Sequence, residues 1–131
     1  VFAYHLGMLD ALEEALPNSI RIDGSTPMEK RAEYQEMFQN GEVDYAVLSM
    51  MAAGTGITLT KASTVVFAEL YFVPGVLLQA EDRAHRIGQE NAVDVRYIIA
   101  AHTLDDHVYR KIKYKIRTVD SCVDNRTDRV W

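Results

Sequence analysis

Two arginines and a glutamine lie at helical spacing within residues 79–89. Gln79, Arg83 and Arg86 fall at positions i, i+4 and i+7, which places them on one face of a predicted helix. Arginine stays charged and presents a planar fork of donors that suits phosphate oxygens. On a rigid helix the pair could stabilise the charge that develops on a transferred γ-phosphoryl group. A solvated helix in which Asp82 pairs with Arg86 explains the same spacing, and the pattern alone favours that interpretation.

A second candidate segment, residues 49–59, follows directly after a predicted strand and contains a Gly-x-Gly at Gly54 and Gly56. Parallel sheets place their sites at the ends of strands. Glycines allow a ligand to approach the backbone closely, and the amides of such a segment could meet phosphate. A tight turn is the more frequent role of a Gly-x-Gly, so both interpretations stay open here.

A third candidate is the turn in residues 21–26, which Arg31 follows. A purely structural interpretation of this segment is the end of a strand, a turn and the start of a helix. Thr26 is predicted to be the N-cap, with Pro27 at the first helical position and Glu29 completing a capping box.

The elements that must position these residues alternate between short apolar strands and helical patterns. This alternation is typical of parallel βαβ units and predicts an α/β fold. Two nearly continuous apolar runs, residues 45–49 and 64–68, predict central strands that are buried on both faces. The remaining predicted strands are residues 20–23 and 93–101, and residues 50–61 are predicted to be a turn. Helices are predicted over residues 6–16, 27–40 and 74–87, with Gly41 ending the second. A last helix is predicted to begin at Thr103, with Asp106 three residues later.

The bulk properties are those of one ordinary domain. The chain has 131 residues, of which 48% are hydrophobic and 25% charged. The net charge of −5 argues against an autonomous nucleic-acid binder, so DNA contact would need a local site or positive charge from a partner. No apolar run approaches the length of a membrane span, and the sequence is expected to be that of an intracellular protein. The single cysteine, Cys122, excludes an internal disulfide and makes a metal site unexpected.

Residues 79–89 resemble the arginine-finger motif of superfamily 2 helicases in its Swi/Snf form, including the trailing Arg-Ile-Gly-Gln. The resemblance implies that Arg83 and Arg86 are the two catalytic arginines that reach ATP across a cleft between lobes. Gln79 matches the leading glutamine of the motif. Residues 49–59 resemble the motif that links the ATP cleft to the DNA strand, with Met51 and Thr58 departing from its usual arginine and asparagine.

Two further stretches resemble the annealing-helicase (HARP-like) branch of the Swi/Snf group. Residues 1–5 are similar to its Phe-Ala-His-His opening, with Tyr4 in place of the first histidine. Residues 66–75 contain its Phe-Ala-Glu-Leu, whereas chromatin remodellers usually carry aspartate at the position of Glu69. Phe72 and Val73 depart from the usual Trp-Asn. A satisfied structural role is favoured over a pH-sensitive or catalytic one for the histidines His5 and His85.

The resemblance implies a three-layer RecA-like domain, the C-terminal lobe of a double-stranded-DNA translocase, over residues 1–120, followed by an unassigned tail, residues 121–131. ATP and Mg²⁺ would be bound mainly by the N-terminal RecA-like lobe of the parent, because no glycine here is followed by the lysine of a phosphate loop. The implied partners are that lobe and duplex or forked DNA, with the isolated lobe monomeric and inactive, and nuclear if eukaryotic. The implied ATP-binding residues are Gly54, Gly56 and Gln79, and the implied DNA-binding residues are Gly24, Ser25, Thr26, Arg31 and Ser49. A nucleosome-remodeller lobe and an inactive interaction module remain as alternatives.

Overall fold

A computed structural model describes residues 1–84 and 87–123 and contains one five-stranded sheet with strand order β2-β3-β1-β4-β5. Every described strand pair is parallel, which confirms the predicted α/β fold with a central parallel sheet. The strands are β1 (Phe2–Ala3), β2 (Ser19–Ile22), β3 (Tyr45–Ser49), β4 (Thr64–Phe67) and β5 (Asp94–Tyr97). The helices are α1 (Leu6–Ala15), α2 (Met28–Gln39), a 3₁₀-helix (Met50–Thr55), α3 (Pro74–Glu81) and α4 (Leu104–Val123).

Helices cover both faces of the sheet, because successive side chains of a strand point to opposite sides. On β1, Phe2 belongs to the larger core with parts of α2, α3 and α4, whereas Ala3 packs with Leu9 of α1. Phe67 of β4 stacks on Phe2 with ring centroids 5.3 Å apart. The two predicted central strands, β3 and β4, flank β1 inside the sheet, as their continuous apolar runs indicate.

The start of α2 differs from the prediction. Thr26 is not the N-cap, because α2 begins at Met28 and no side chain caps it. Instead, the Thr26 hydroxyl accepts a hydrogen bond from the backbone N–H of Asp23 at 3.0 Å, which folds it back into the preceding turn. The end of α2 is as predicted: Gly41 has φ +75°, and the N–H groups of Gly41 and Glu42 donate to the carbonyls of Phe38 and Met37.

Helix α3 is shorter than predicted and ends at Glu81 rather than near residue 87. The N–H groups of Arg83 and Ala84 bond to carbonyls three residues back, at 3.2 and 3.1 Å, which is tighter than an α-helix. The carbonyl of Arg83 accepts instead from the N–H of Leu59 at 2.8 Å. A long-range bond thus occupies the acceptor that a continuing helix would use. His85 and Arg86 lie outside the described residues.

The start of α4 agrees with its sequence signal. The Thr103 hydroxyl accepts from the N–H of Asp105 at 3.2 Å, and the Asp106 carboxylate accepts from the N–H of His102 at 2.6 Å. Strand β5 ends at Tyr97 and is shorter than the predicted strand over residues 93–101. The Thr103 hydroxyl also donates to the carbonyl of Ala100 in the connection that follows. Helix α4 continues to Val123, beyond the position where the sequence predicts a tail to begin.

On α4 the apolar residues Leu104, Val108 and Ile112, spaced four positions apart, are only partly buried. Ile112 is buried and Val108 packs against the core, whereas Leu104 is 69% exposed. None of the helices among the described residues is long and apolar enough to cross a membrane.

Candidate functional site

The turn after β2 is organised by Asp23, whose residue is only 6% exposed. One carboxylate oxygen accepts from the Ser25 N–H at 2.8 Å and from the Ser25 hydroxyl at 2.6 Å. The other accepts from Nε of Arg21 at 3.0 Å. The Ser25 hydroxyl, followed by the Ser25 N–H and Arg21, holds the pKa of Asp23 below its usual value despite burial. The proton of the Ser25 hydroxyl is therefore committed to an ionised carboxylate.

Arg31 supports the same turn from α2. Its Nε donates to the carbonyl of Thr26 at 2.8 Å, and its Nη2 donates to the carbonyl of Asp23 at 3.0 Å. Gly24 is exposed at the tip of the turn, where an added Cβ would meet no atom within 4 Å. The structure thus brings together four predicted DNA-binding residues, Gly24, Ser25, Thr26 and Arg31. It uses the Ser25 and Arg31 side chains to hold the turn itself.

Ser49 and Gly56 bound the 3₁₀-helix that replaces the predicted turn. Ser49 is buried, and its Oγ accepts from the Met51 N–H at 3.3 Å, so it caps the start of this helix. Gly56 ends it with φ +79°, a backbone conformation that strains other residues. Gly54 lies within the 3₁₀-helix, which packs against α3. The segment therefore joins the end of β3 to the helix that carries Gln79.

Gln79 and Arg83 lie at the end of α3. Gln79 is exposed on α3, whereas Arg83 is half-buried just beyond the end of the helix. The Nε of Arg83 reaches back and donates to the carbonyl of Gln79 at 3.2 Å, which fixes the guanidinium against the end of the helix. The predicted partner, Arg86, lies outside the described residues.

Arg83 also lines a cavity of about 630 Å³ at the amino ends of the central strands, beside Tyr45 and Thr64. These strands end on the opposite side of the sheet, where the Asp23 turn follows β2. The candidate residues therefore fall into two groups at opposite ends of the sheet, one around Asp23 and one around Arg83. The 3₁₀-helix and the loop that follows it run between the two groups.

Glu69 has a structural role that the sequence does not reveal. One carboxylate oxygen accepts from the N–H groups of Tyr4 and His5 at 2.7 and 2.9 Å, and the other lies 2.6 Å from Nδ1 of His5. Burial raises the pKa of Glu69, but these His5 and Tyr4 donors outweigh it and the pKa falls below its usual value. Glu69 thus ties the end of β4 to the start of α1. Its partners are about 65 positions away in the sequence, so no local sequence pattern predicts these contacts.

Arg21 is a second residue that the sequence does not single out. Besides Asp23, its guanidinium bonds to the carboxylates of Asp10 and Glu13 on α1. The pKa of Arg21 is raised above its usual value, first by the hydrogen bond to Asp10. Arg21 therefore anchors the Asp23 turn to α1. The sequence shows a basic residue in a predicted strand and acidic residues in a predicted helix, but it does not show that these side chains lie close together.

Residues 1–88 match the family described as the helicase conserved C-terminal domain. The chain is 46% identical over 135 residues to the mouse (Mus musculus) DNA annealing helicase and endonuclease ZRANB3, covering 99% of this chain and 13% of that protein. It is 48% identical over 121 residues to the Caenorhabditis elegans SWI/SNF-related matrix-associated actin-dependent regulator of chromatin subfamily A-like protein 1 homolog, covering 88% of this chain and 18% of that protein. The chain therefore spans less than a fifth of the length of these curated relatives.

Among solved structures, the chain is similar to the C-terminal part of the Fun30 ATPase domain. The TM-score is 0.81 at 30% identity, and the match covers 85% of this chain and 37% of that chain. The Swi/Snf-type resemblance and the RecA-like fold expected from it are thereby confirmed. The chain belongs to the helicase conserved C-terminal domain family, with the RecA-like fold of a Swi/Snf-related C-terminal lobe.

Proposed function

We propose that this chain is the second motor lobe of an ATP-dependent double-stranded-DNA translocase that anneals DNA or remodels forks. The observation that carries the proposal is the 46% identity to a DNA annealing helicase over 99% of the chain. In this role the lobe supplies arginine fingers and contacts to the DNA backbone, and it works in the nucleus if the organism is eukaryotic. The partner is an N-terminal RecA-like lobe of the same parent protein.

The ATP-facing contribution centres on Arg83 and Arg86. The Nε bond to the carbonyl of Gln79 orients the Arg83 guanidinium, and a fixed guanidinium suits a polyphosphate better than a mobile one. Bound ATP with Mg²⁺ supplies the γ-phosphoryl group whose transfer drives movement. No group of three or more His, Cys, Asp or Glu side chains that could hold a metal ion occurs among the described residues. By the family resemblance we assign Mg²⁺ binding to the other lobe and charge stabilisation to the two arginines.

The DNA-facing contribution centres on the Asp23 turn. The Thr26 hydroxyl accepts from the Asp23 N–H, which leaves its own proton to donate to a phosphate oxygen. The exposed Gly24 lets a DNA backbone approach the tip of the turn. Arg31 adds positive charge while it holds the turn carbonyls. Contacts of this kind position a protein on DNA without reading its sequence.

The 131-residue chain on its own is expected to fold but to show no ATP hydrolysis, with or without duplex DNA. The reason is that the chain lacks the glycine-lysine phosphate loop that must hold the nucleotide. Circular dichroism checks folding, and a phosphate-release assay checks activity. DNA-stimulated turnover by the purified chain contradicts the proposed division of labour between two lobes.

The isolated chain is also expected to bind duplex DNA weakly, with little sequence preference and a shallow salt dependence. The net charge of −5 opposes binding, and the Asp23 turn offers few phosphate contacts. With Arg31 as the one cationic contact of this turn, log K should fall with log salt at a slope of about −0.9. Fluorescence anisotropy with two unrelated duplexes between low and physiological salt measures this slope. Tight binding that survives high salt, or a strong preference for one duplex, is incompatible with the proposal.

A further inference from the structure

The side-chain amide of Gln89 joins three separate segments of the lobe. Its Nε2 donates towards the carbonyls of Thr60 at 2.9 Å, Ala62 at 2.8 Å and Ala84 at 3.2 Å. Its Oε1 accepts from the N–H of Asn91 at 2.9 Å. Gln89 is half-buried, so water does not replace these bonds freely. One amide therefore connects the loop before β4, the segment after α3 and the approach to β5.

One of these bonds, together with a bond from the Leu59 N–H, holds the backbone around Arg83. The carbonyl of Arg83 accepts from the N–H of Leu59 at 2.8 Å, and the next carbonyl, that of Ala84, accepts from Gln89. Leu59 lies in the loop of residues 58–62, and Gln89 bonds to the same loop through the carbonyls of Thr60 and Ala62. The peptide units that follow α3 are therefore fixed from one side. Their position determines where the Arg83 side chain is presented.

The loop itself is held from α2 by two more glutamines. Oε1 of Gln35 accepts from the Thr58 N–H at 2.9 Å. Gln39, one helical turn later, donates to the Thr60 hydroxyl at 2.9 Å and accepts from the Lys61 N–H at 3.0 Å. The loop is thus clamped between α2, which starts beside the Asp23 turn, and Gln89. Such a clamp leaves the Leu59 N–H in a defined place for the carbonyl of Arg83.

We propose that Gln89 is a positioning residue, which rests on the proposed function of Arg83 in ATP hydrolysis. The chemistry of the site requires an amide, because the side chain must donate to carbonyl oxygens and accept from an N–H at once. A carboxylate of the same shape would set an anion against the carbonyls of Thr60, Ala62 and Ala84. A small displacement of a catalytic group costs up to about 100-fold in rate, so the effect should appear in turnover.

The test compares Gln89→Glu and Gln89→Met in the full-length parent with Glu90→Gln, a change at the exposed neighbouring residue. We expect both Gln89 variants to lower kcat of DNA-stimulated ATP hydrolysis by at least about 10-fold. The KM for ATP and the Kd for duplex DNA should change by less than about 2-fold, because a positioning residue acts through Arg83 and has no direct contact with either ligand. Glu90→Gln should match the wild type. Gln89→Met keeps the length without the charge and so covers a failure of Gln89→Glu to fold.

Hydrogen exchange of the parent provides a readout that does not depend on activity. In Gln89→Met the amides of Asn91 and Leu59 should exchange at least about 10-fold faster than in the wild type, because both bonds depend on the clamp. Unchanged kcat, or unchanged protection of the Leu59 amide, overturns the positioning role. An inactive wild-type parent contradicts the proposed function instead, and the exchange of Leu59 then still decides whether Gln89 positions the segment.

Discussion

Replacing Arg86 by alanine in the full-length parent is expected to lower DNA-stimulated ATP hydrolysis by at least about 100-fold, since arginine fingers contribute about 10³ to 10⁵ in related phosphoryl transfers. Arg86 stands at the end of the motif in residues 79–89, where the finger of the resembled family lies. Arg83→Ala should also reduce turnover, but less. Steady-state kinetics with saturating duplex DNA measures both losses.

The structure adds a separate expectation for Arg83. Its Nε bond to the carbonyl of Gln79 satisfies one of the last acceptors of α3, so Arg83→Ala should cost about 1 kcal/mol of stability in addition to activity. Arg96→Ala is the matched control, because Arg96 is exposed on β5 and pairs only with the exposed Asp94 among the contacts described. That control should leave turnover unchanged and shift stability by less than about 0.5 kcal/mol.

Lysine should restore little of the activity. It keeps the positive charge but loses the planar fork that contacts two phosphate oxygens together. An Arg86→Lys parent with most of the wild-type turnover would show that a local positive field suffices. A melting-temperature loss in Arg86→Ala as large as that of a core truncation would make the arginine structural rather than catalytic.

The helices and strands begin and end where local sequence signals predict, unless a hydrogen bond from a residue far along the chain competes with the local one. Gly41 ends α2 because its φ of +75° suits glycine, and Thr103 with Asp106 starts α4. Thr26 gives an equally strong local signal, yet its hydroxyl bonds to the N–H of Asp23. The conformation of this turn depends on the buried Asp23 and its ion pair with Arg21, and Arg21 is itself held by Glu13 of α1. Local propensity therefore predicts the helix but not its cap.

The candidate site shows the same division between local and distant information. Spacing places Gln79 and Arg83 near one another, and the structure keeps them in contact through the Arg83 Nε bond. Spacing cannot show that α3 ends at Glu81, because the competing bond comes from Leu59, more than 20 positions earlier. The roles of Glu69 and Gln89 are likewise set by partners far along the chain. The motifs thus point to the candidate residues, and tertiary hydrogen bonds determine the geometry around them.

The second large effect is expected from Asp23→Asn in the 131-residue chain. An asparagine has one acceptor oxygen, so it can keep the hydrogen bonds from Ser25 or the one from Arg21, but not both sets. Its NH₂ group would then face another hydrogen-bond donor. Because Asp23 is buried, we expect the free energy of unfolding at neutral pH to fall by about 2 kcal/mol. Asp94→Asn, at an exposed position on β5, should change it by less than about 0.5 kcal/mol. Urea denaturation measures both.

The stability difference between the wild type and Asp23→Asn should depend on pH with a defined sign. The pKa of Asp23 is lower in the folded chain than its ordinary value of 3.8, chiefly because the Ser25 hydroxyl donates to the carboxylate. The ionised carboxylate therefore stabilises the fold fully above about pH 5, and this contribution is lost as the pH falls through the lower, folded-state pKa. The gap between the two proteins should be constant from pH 7 to about pH 5 and shrink in stronger acid. In the full-length parent the same variant should weaken duplex DNA binding, because the turn that presents Gly24 and Thr26 loses its central acceptor. A gap that stays constant down to pH 2, or a variant as stable as the wild type, would show that Asp23 does not organise the turn as an ionised group.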